Sequence, residues 1–257
     1  MKKKATVIIQ ARMGSTRLPG KVLKSIQNYA ALEFLVRRLR MSSMVKNIVV
    51  ATTENMKDNA IEKFCIEKEL NYFRGPEEDV LKRYQLSAQY YDAEDIVRIS
   101  GDCPFTDWEM LDKLVNLYFQ ENADFVTNMY KKTFPLGFAI EVFKSKKLLE
   151  LNNLDENEKE HVTTHFINNP AKYNFISVEK KTDLSKFRMT LDTNEDYEVI
   201  SKVADSFTDI YFKFKDIEEL INSRPDYLKK NQYIKQKSNF QESESSKVRS
   251  VIYEEIN

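Results

Sequence analysis

The chain has 257 residues, enough for one sizeable α/β domain with small appendages. Its 40 basic residues balance 40 acidic ones, so no whole-protein field draws it to nucleic acid or to an anionic membrane, although a local basic site stays open. The two cysteines, Cys65 and Cys103, offer neither a disulfide framework nor a zinc spacing. No run approaches the roughly 20 apolar residues of a membrane span, and the apolar stretch behind Met1-Lys2-Lys3-Lys4 is too short for a secretory core, so the chain reads as soluble and cytoplasmic, with no membrane insertion.

In chain order, Ala5 to Ile9 is a β-branched apolar run and predicts a strand buried on both faces, as in a parallel sheet. A loop with Gly and Pro follows. Leu32 to Leu39 has helical apolar spacing, Asn47 to Thr52 predicts a second strand, and Asn59 to Leu70 an amphipathic helix. Tyr72-Phe73 opens a short strand, Asp79 to Tyr91 predicts a helix, and Asp95 to Ile99 a strand ending at Ser100-Gly101-Asp102. This alternation predicts a Rossmann-like, doubly wound α/β sheet whose loops gather on one edge. The pattern then changes. Strands are expected at Phe125-Val126, Phe138 to Phe143 and Phe175 to Val178, with helices at Ser145 to Asn152 and Asn157 to Asn168. The segment 130–180 reads as an inserted α+β arm suited to a dimer contact, with apolar residues such as Phe138 facing the second subunit. Arg188 to Asp192 returns as a strand, and Tyr197 to Asp205 and Ile217 to Asn222 close a domain of residues 1–228. Residues 229–257 read as a polar linker and tail in which Val248 to Tyr253 is apolar enough to dock.

Three constellations carry chemistry. The first is Gln10-Ala11-Arg12-Met13-Gly14-Ser15-Thr16-Arg17-Leu18-Pro19-Gly20-Lys21, which leaves the first strand. Glycines let backbone N–H groups approach phosphate oxygens, and Arg12 and Lys21 can neutralise a polyphosphate. Val22 after Lys21 excludes a Walker loop; the bland alternative is a solvated basic turn. The second is Arg98-Ile99-Ser100-Gly101-Asp102-Cys103-Pro104, where a carboxylate at a strand end can ligate Mg²⁺, or merely serve a turn. The third is Arg188-Met189-Thr190-Leu191-Asp192-Thr193-Asn194-Glu195-Asp196. Thr193 or Asn194 can cap the next helix, Glu195 and Asp196 suit its first turn, and Asp192 is the metal candidate.

These strings, with Arg74-Gly75, Asp79-Val80-Leu81, Arg83-Tyr84, Pro135-x-Gly137-x-x-x-Glu141-Val142 and Glu160-His161-Val162-Thr163, resemble in order the CMP-sugar cytidylyltransferase family, in its SpsF-like, spore-coat polysaccharide branch. The resemblance runs from about Thr6 to about Ile200. It implies a nucleotide-diphospho-sugar transferase fold, CTP as donor, Mg²⁺ as cofactor, a small sugar acceptor and often a homodimer. It places Gln10 and Ala11 at the cytosine, partly through backbone, with Gly14, Ser15, Ser100 and Gly101 in the nucleotide site. Arg12 and Lys21 hold the triphosphate, Arg74 and Arg83 line the nucleotide side, and Asp102 and Asp192 hold the metal. Pro135, Gly137, Glu141, His161 and Arg188 fall toward the sugar. Leu136 and Ala139 stand where many relatives carry aspartate, which leaves the acceptor open, and Asn194 stands where a proline often follows. Another nucleoside triphosphate, a sugar phosphate acceptor, or a glycosyltransferase of the same general fold are the alternatives. A glycosyltransferase is expected to carry Asp-x-Asp where this chain has Asp102-Cys103-Pro104.

Overall fold

The computed structural model describes residues 3–235 and 248–256, so residues 236–247 of the expected linker lie outside the described residues. The chain runs β1 (Ala5–Gln10), the short hairpin β2 (Ser25–Ile26) and β3 (Tyr29–Ala30), α1 (Ala31–Leu39), β4 (Val45–Thr53), α2 (Asn59–Glu67), β5 (Asn71–Gly75), α3 (Val80–Tyr90) and β6 (Asp95–Ser100). It continues through α4 (Trp108–Gln120), β7 (Phe125–Thr127), β8 (Glu141–Lys144), α5 (Ser145–Leu149), α6 (Glu156–Glu160), α7 (Thr164–Asn168), β9 (Phe175–Glu179), α8 (Asn194–Ala204), α9 (Phe214–Ser223) and β10 (Arg249–Ile252). One mixed sheet has the order β10-β9-β7-β8-β6-β1-β4-β5. Its strands are parallel except β8, which is antiparallel to both β6 and β7.

The apolar runs that predicted buried strands are shared between two layers with the two-residue period of a strand. Val7 and Ile9 of β1 and Val97 and Ile99 of β6 pack with α1, α4, α8 and α9. Ile8 and Ile96 face the opposite way, toward α3, α5 and α7. Phe125 anchors that second layer, with ring centroids 5.0 Å from both Phe166 and Phe175. Among the described residues no helix is long and apolar enough to cross a membrane.

Four expectations are revised. The segment 130–180 does not form a separate α+β arm: its β8 and β9 are strands of the main sheet, and α5 and α7 cover one face of it. Phe138 is fully buried within the chain, packed edge-on against Phe214 at 4.8 Å, and is not available to a second subunit. The helix expected over 157–168 breaks at His161-Val162-Thr163, where the buried Val162 takes φ +38, an uncommon value for a β-branched residue. The strand expected at 188–192 is reduced to an isolated bridge between Leu136 and Arg188, made by Leu136 N–H to Phe187 and Met189 N–H to Leu136. Beyond it Leu191 N–H donates instead to the carbonyl of Asp102 at 2.8 Å. The apolar segment at 248–253 does dock: β10 pairs in parallel with β9 at the sheet edge.

Candidate active site

The first loop begins where β1 ends, and buried contacts hold it. Leu18 and Val22 are in the core. Met13 N–H donates to the buried Asp58 at 2.6 Å, and Gly20 N–H donates back to the Met13 carbonyl at 3.2 Å. Gly20 has φ +67, a left-handed value that glycine supplies without steric cost, and starts the short turn Lys21–Leu23. The loop is therefore shaped by the fold and not a solvated turn.

That shape turns Lys21 inward. Its Nζ contacts the Asp102 carboxylate and lies 2.8 Å from Asp192 Oδ1. Two aspartates 90 positions apart in sequence thus meet at one cation (192 − 102). Asp102 arrives on the turn after β6. Asp192 arrives because the segment before it is tied to the Asp102 backbone: Leu191 N–H and Thr190 Oγ1 both donate to the Asp102 carbonyl. Thr193, immediately after, caps α8 by accepting from Asp196 N–H at 3.2 Å. Arg17 reaches Asp192 from the loop at 2.9 Å. Burial would push the Asp102 carboxyl up, but the Lys21 ammonium beside it holds it below the usual carboxylate range. Burial would likewise lower Lys21, and the two aspartates keep it above the ordinary lysine value.

A cleft of about 580 Å³ opens over these groups at the carboxyl edge of the sheet. Of the residues expected to contact nucleotide, Gln10, Ala11, Arg12, Gly14, Ser15 and Lys21 line it, together with Arg83 and Ser100. His161 faces the same space from beyond α6; burial holds its imidazole below the ordinary histidine value. Gly101 lies just behind, where a Cβ would come within 2.9 Å of the Gln10 carbonyl oxygen. Cys103 is buried next to Asp102, and burial pushes its thiol well up, away from the thiolate form.

Other expected site residues support the cleft without lining it. The Arg74 guanidinium is occupied by Glu62 at 2.6 Å and by the carbonyls of Thr53 and Asn55. Arg188 is buried as a two-point pair with Asp196, at 3.1 and 2.9 Å, and sits 3.7 Å behind Asp192. Pro135 and Gly137 form the turn that binds the 187–189 backbone, and a Cβ on Gly137, at φ +106, would lie 2.2 Å from the Met189 oxygen. Glu141, at the amino end of β8, is buried against Arg98 and Thr163.

Sequence reasoning named Arg17, Arg98 and Glu160 only within their strings, with no role of their own, and did not name Asp58, Glu77, Glu78 or Glu156; of these, Arg17, Glu77, Glu78, Glu156 and Glu160 line the cleft. A signal existed for Arg98, a lone charge inside the otherwise apolar strand Ile96-Val97-Arg98-Ile99. For Asp58 there was none, since its partners Met13 and Thr53 are set only by folding.

A glycine-containing loop and paired aspartates at the carboxyl edge of a doubly wound sheet define an α/β protein of the kind that holds its ligand outside the strand ends. The family model of the cytidylyltransferases matches residues 6–246, and the chain belongs to that family. It is 38% identical over 202 residues to the spore coat polysaccharide biosynthesis protein SpsF of Bacillus subtilis (strain 168), covering 75% of this chain and 83% of that protein. Among solved structures, a cytidylyltransferase from Leptospira borgpetersenii serovar Hardjo-bovis (strain JB197) is similar with a TM-score of 0.85 and 36% identity, over 91% of this chain and 100% of that one. A CMP:2-keto-3-deoxy-manno-octonic acid synthetase complexed with CTP shares the fold, with a TM-score of 0.58 at 15% identity over 79% of this chain and 99% of that one.

Proposed function

We propose that this chain transfers CMP from CTP to a sugar acid or related sugar, releases pyrophosphate, and so supplies an activated sugar for a surface polysaccharide or glycan. The observation that carries the reading is Lys21 bridging Asp102 and Asp192 beneath a loop that also presents Arg12 and Arg17. An acceptor oxygen attacks the α-phosphorus of CTP, the bond to the β-phosphate oxygen breaks, and pyrophosphate leaves with the electron pair. The protein aligns the two reactants and stabilises charge on the phosphates. On this reading Arg12 and Lys21 hold the triphosphate, with Arg17 beside them, and His161, Glu156 and Glu160, which also line the cleft, meet the acceptor.

The donor set fits Mg²⁺. Two carboxylates converge on a single cationic point, which suits a hard ion held by one or two carboxylates and completed by phosphate oxygens and water. Asp102 and Asp192 would hold it, and bound there it would polarise the α-phosphate. The test is pyrophosphate release with the four nucleoside triphosphates crossed against panels of sugar acids and sugar phosphates. Release is expected with CTP and a sugar acid. Release only with a different nucleotide or only with sugar phosphates would replace the reading.

A further inference from the structure

Asp58 stands immediately before α2, where an aspartate ordinarily caps its own helix, yet its side chain makes no cap bond there. The carboxylate turns instead to the first loop. It is 2% exposed and pairs with no cation among the described residues. A carboxylate so buried is costly unless its oxygens are hydrogen-bonded. Oδ1 accepts Met13 N–H at 2.6 Å, and Oδ2 accepts the Thr53 hydroxyl. Thr53 Oγ1 in turn accepts Asn55 N–H at 3.1 Å, and Arg74 holds the same turn through the Thr53 and Asn55 carbonyls. Asp58 is therefore fixed from behind and spends its other oxygen on the loop.

The loop amides divide into two sets. Met13 N–H goes back to Asp58, Ser15 N–H to the Met13 carbonyl at 2.9 Å, and Leu18 N–H to Ser15 Oγ at 3.3 Å. The amides of Arg12, Gly14, Thr16 and Arg17 donate to no group among the described residues, and all four residues line the cleft. Amides left open on one side of a loop make an anion-binding concavity. We infer that Asp58 is the positioning residue of this loop: by drawing the Met13 amide to the rear, it leaves the flanking Arg12 and Gly14 amides to the polyphosphate. The inference rests on the proposed function, which puts phosphate on the loop. A negative charge behind an anion site opposes its ligand. What Asp58 contributes is thus the accepted amide, and a neutral acceptor in its place serves as well.

The test is the affinity of the full chain for inorganic pyrophosphate, a probe without a base, and for CTP, by calorimetry with Mg²⁺ present. Asp58→Ala frees the Met13 amide and is expected to weaken both ligands about tenfold, the worth of roughly one good hydrogen bond. Asp58→Asn keeps an acceptor for Met13 N–H, and its affinities are expected to stay within about threefold of wild type. A folded Asp58→Ala protein with wild-type pyrophosphate affinity overturns the inference. So does an Asp58→Asn protein as weak as Asp58→Ala, since loss of the charge and not of the acceptor would then set affinity. Should Asp58→Ala fail to fold, amide exchange in the wild type decides. Met13 N–H is expected to exchange more slowly than Arg12 and Gly14 N–H in the free protein, and pyrophosphate to slow those two. Equal exchange at the three amides, or no slowing by pyrophosphate, overturns the role of Asp58. A wild type that binds pyrophosphate but not CTP overturns the proposed function while the pyrophosphate series still decides on Asp58. One that binds neither overturns both.

Discussion

The loop sequence led to the expectation that Lys21 binds phosphate, but its contact with both aspartates was not legible, because that contact depends on where two distant strand ends come to rest. The contact changes what the Lys21→Ala variant should do. CTP affinity is expected to fall by about 1.5–3 kcal/mol, the worth of a charge-assisted phosphate contact. The variant also leaves Asp102 and Asp192 facing each other without the cation they share, although Asp192 keeps Arg17 and Arg188. Thermal unfolding at neutral pH should therefore show a lower midpoint, with part of the loss recovered on adding Mg²⁺. An unchanged midpoint would show that the two carboxylates do not repel. The pH sign follows from Asp102, whose folded value lies below its ordinary 3.8. The stabilisation it draws from Lys21 is complete above that ordinary value and is lost as pH falls through the lower folded value. The cost of Lys21→Ala should thus shrink below about pH 4. Turnover tests the pair directly. Asp102→Asn and Asp192→Asn are each expected to cut it severely, and the double variant to be little worse than either, as for groups that act as a unit. Near-normal turnover in either single variant at ordinary Mg²⁺ would end the shared-metal mechanism.

At the level of elements, the buried strands of the first hundred residues were readable from composition because a strand covered on both faces is apolar along most of its length. The misreadings fall where local pattern and tertiary hydrogen bonding part company. The string Arg188-Met189-Thr190-Leu191 has the look of a strand, with Met189 and Leu191 buried, but its amide groups bond to Leu136 and to Asp102, so it is an extended tether with one bridge. The tether needs Gly137, whose missing Cβ makes room for the Met189 carbonyl. Gly137→Ala is accordingly expected to lower stability in chemical denaturation by about 3 kcal/mol, combining left-handed strain and a backbone collision. If it instead leaves the denaturation midpoint alone and abolishes turnover, Gly137 belongs to the sugar pocket after all. In the 157–168 region helical apolar spacing continues through Val162, yet the helix breaks there. The turn presents His161 to the cleft and lets Thr163 reach the buried Glu141.

For the whole molecule, the last described residues complete the sheet. β10 covers the edge of β9 and is held by side chains from several elements. Arg249 pairs with Glu121 at 2.5 Å, Lys180 with Glu254 at 2.8 Å, and Lys113 donates to the Ile256 carbonyl at 2.6 Å. An exposed edge strand is a template for unwanted pairing. Deleting residues 249–256 should therefore speed amide exchange in β9 and promote self-association in light scattering, with CTP binding retained. Loss of CTP binding with unchanged β9 exchange would contradict this separation. Acid should loosen the same strap. Burial would raise Glu254, but its hydrogen bond from Lys180 holds it below its ordinary 4.5, so its contribution is full above that value and disappears as pH falls through the lower folded one. Exchange in β10 is expected to rise in that window ahead of β1, which lies inside the sheet between β6 and β4.

The amino-acid sequence by itself determined the alternation that builds a doubly wound sheet, the glycine loop with its cations, and the two aspartates, because each is written within a short stretch of chain. The tertiary structure alone decided that β8 and β9 join the main sheet and that Phe138 faces inward. It also decided that Lys21 sits between Asp102 and Asp192, and that Gln10, Arg98, Glu141 and Thr163 form one hydrogen-bonded line beneath the cleft. These are relations between residues far apart in the chain. Strand order and the direction of β8 set them, and local propensity carries no record of either.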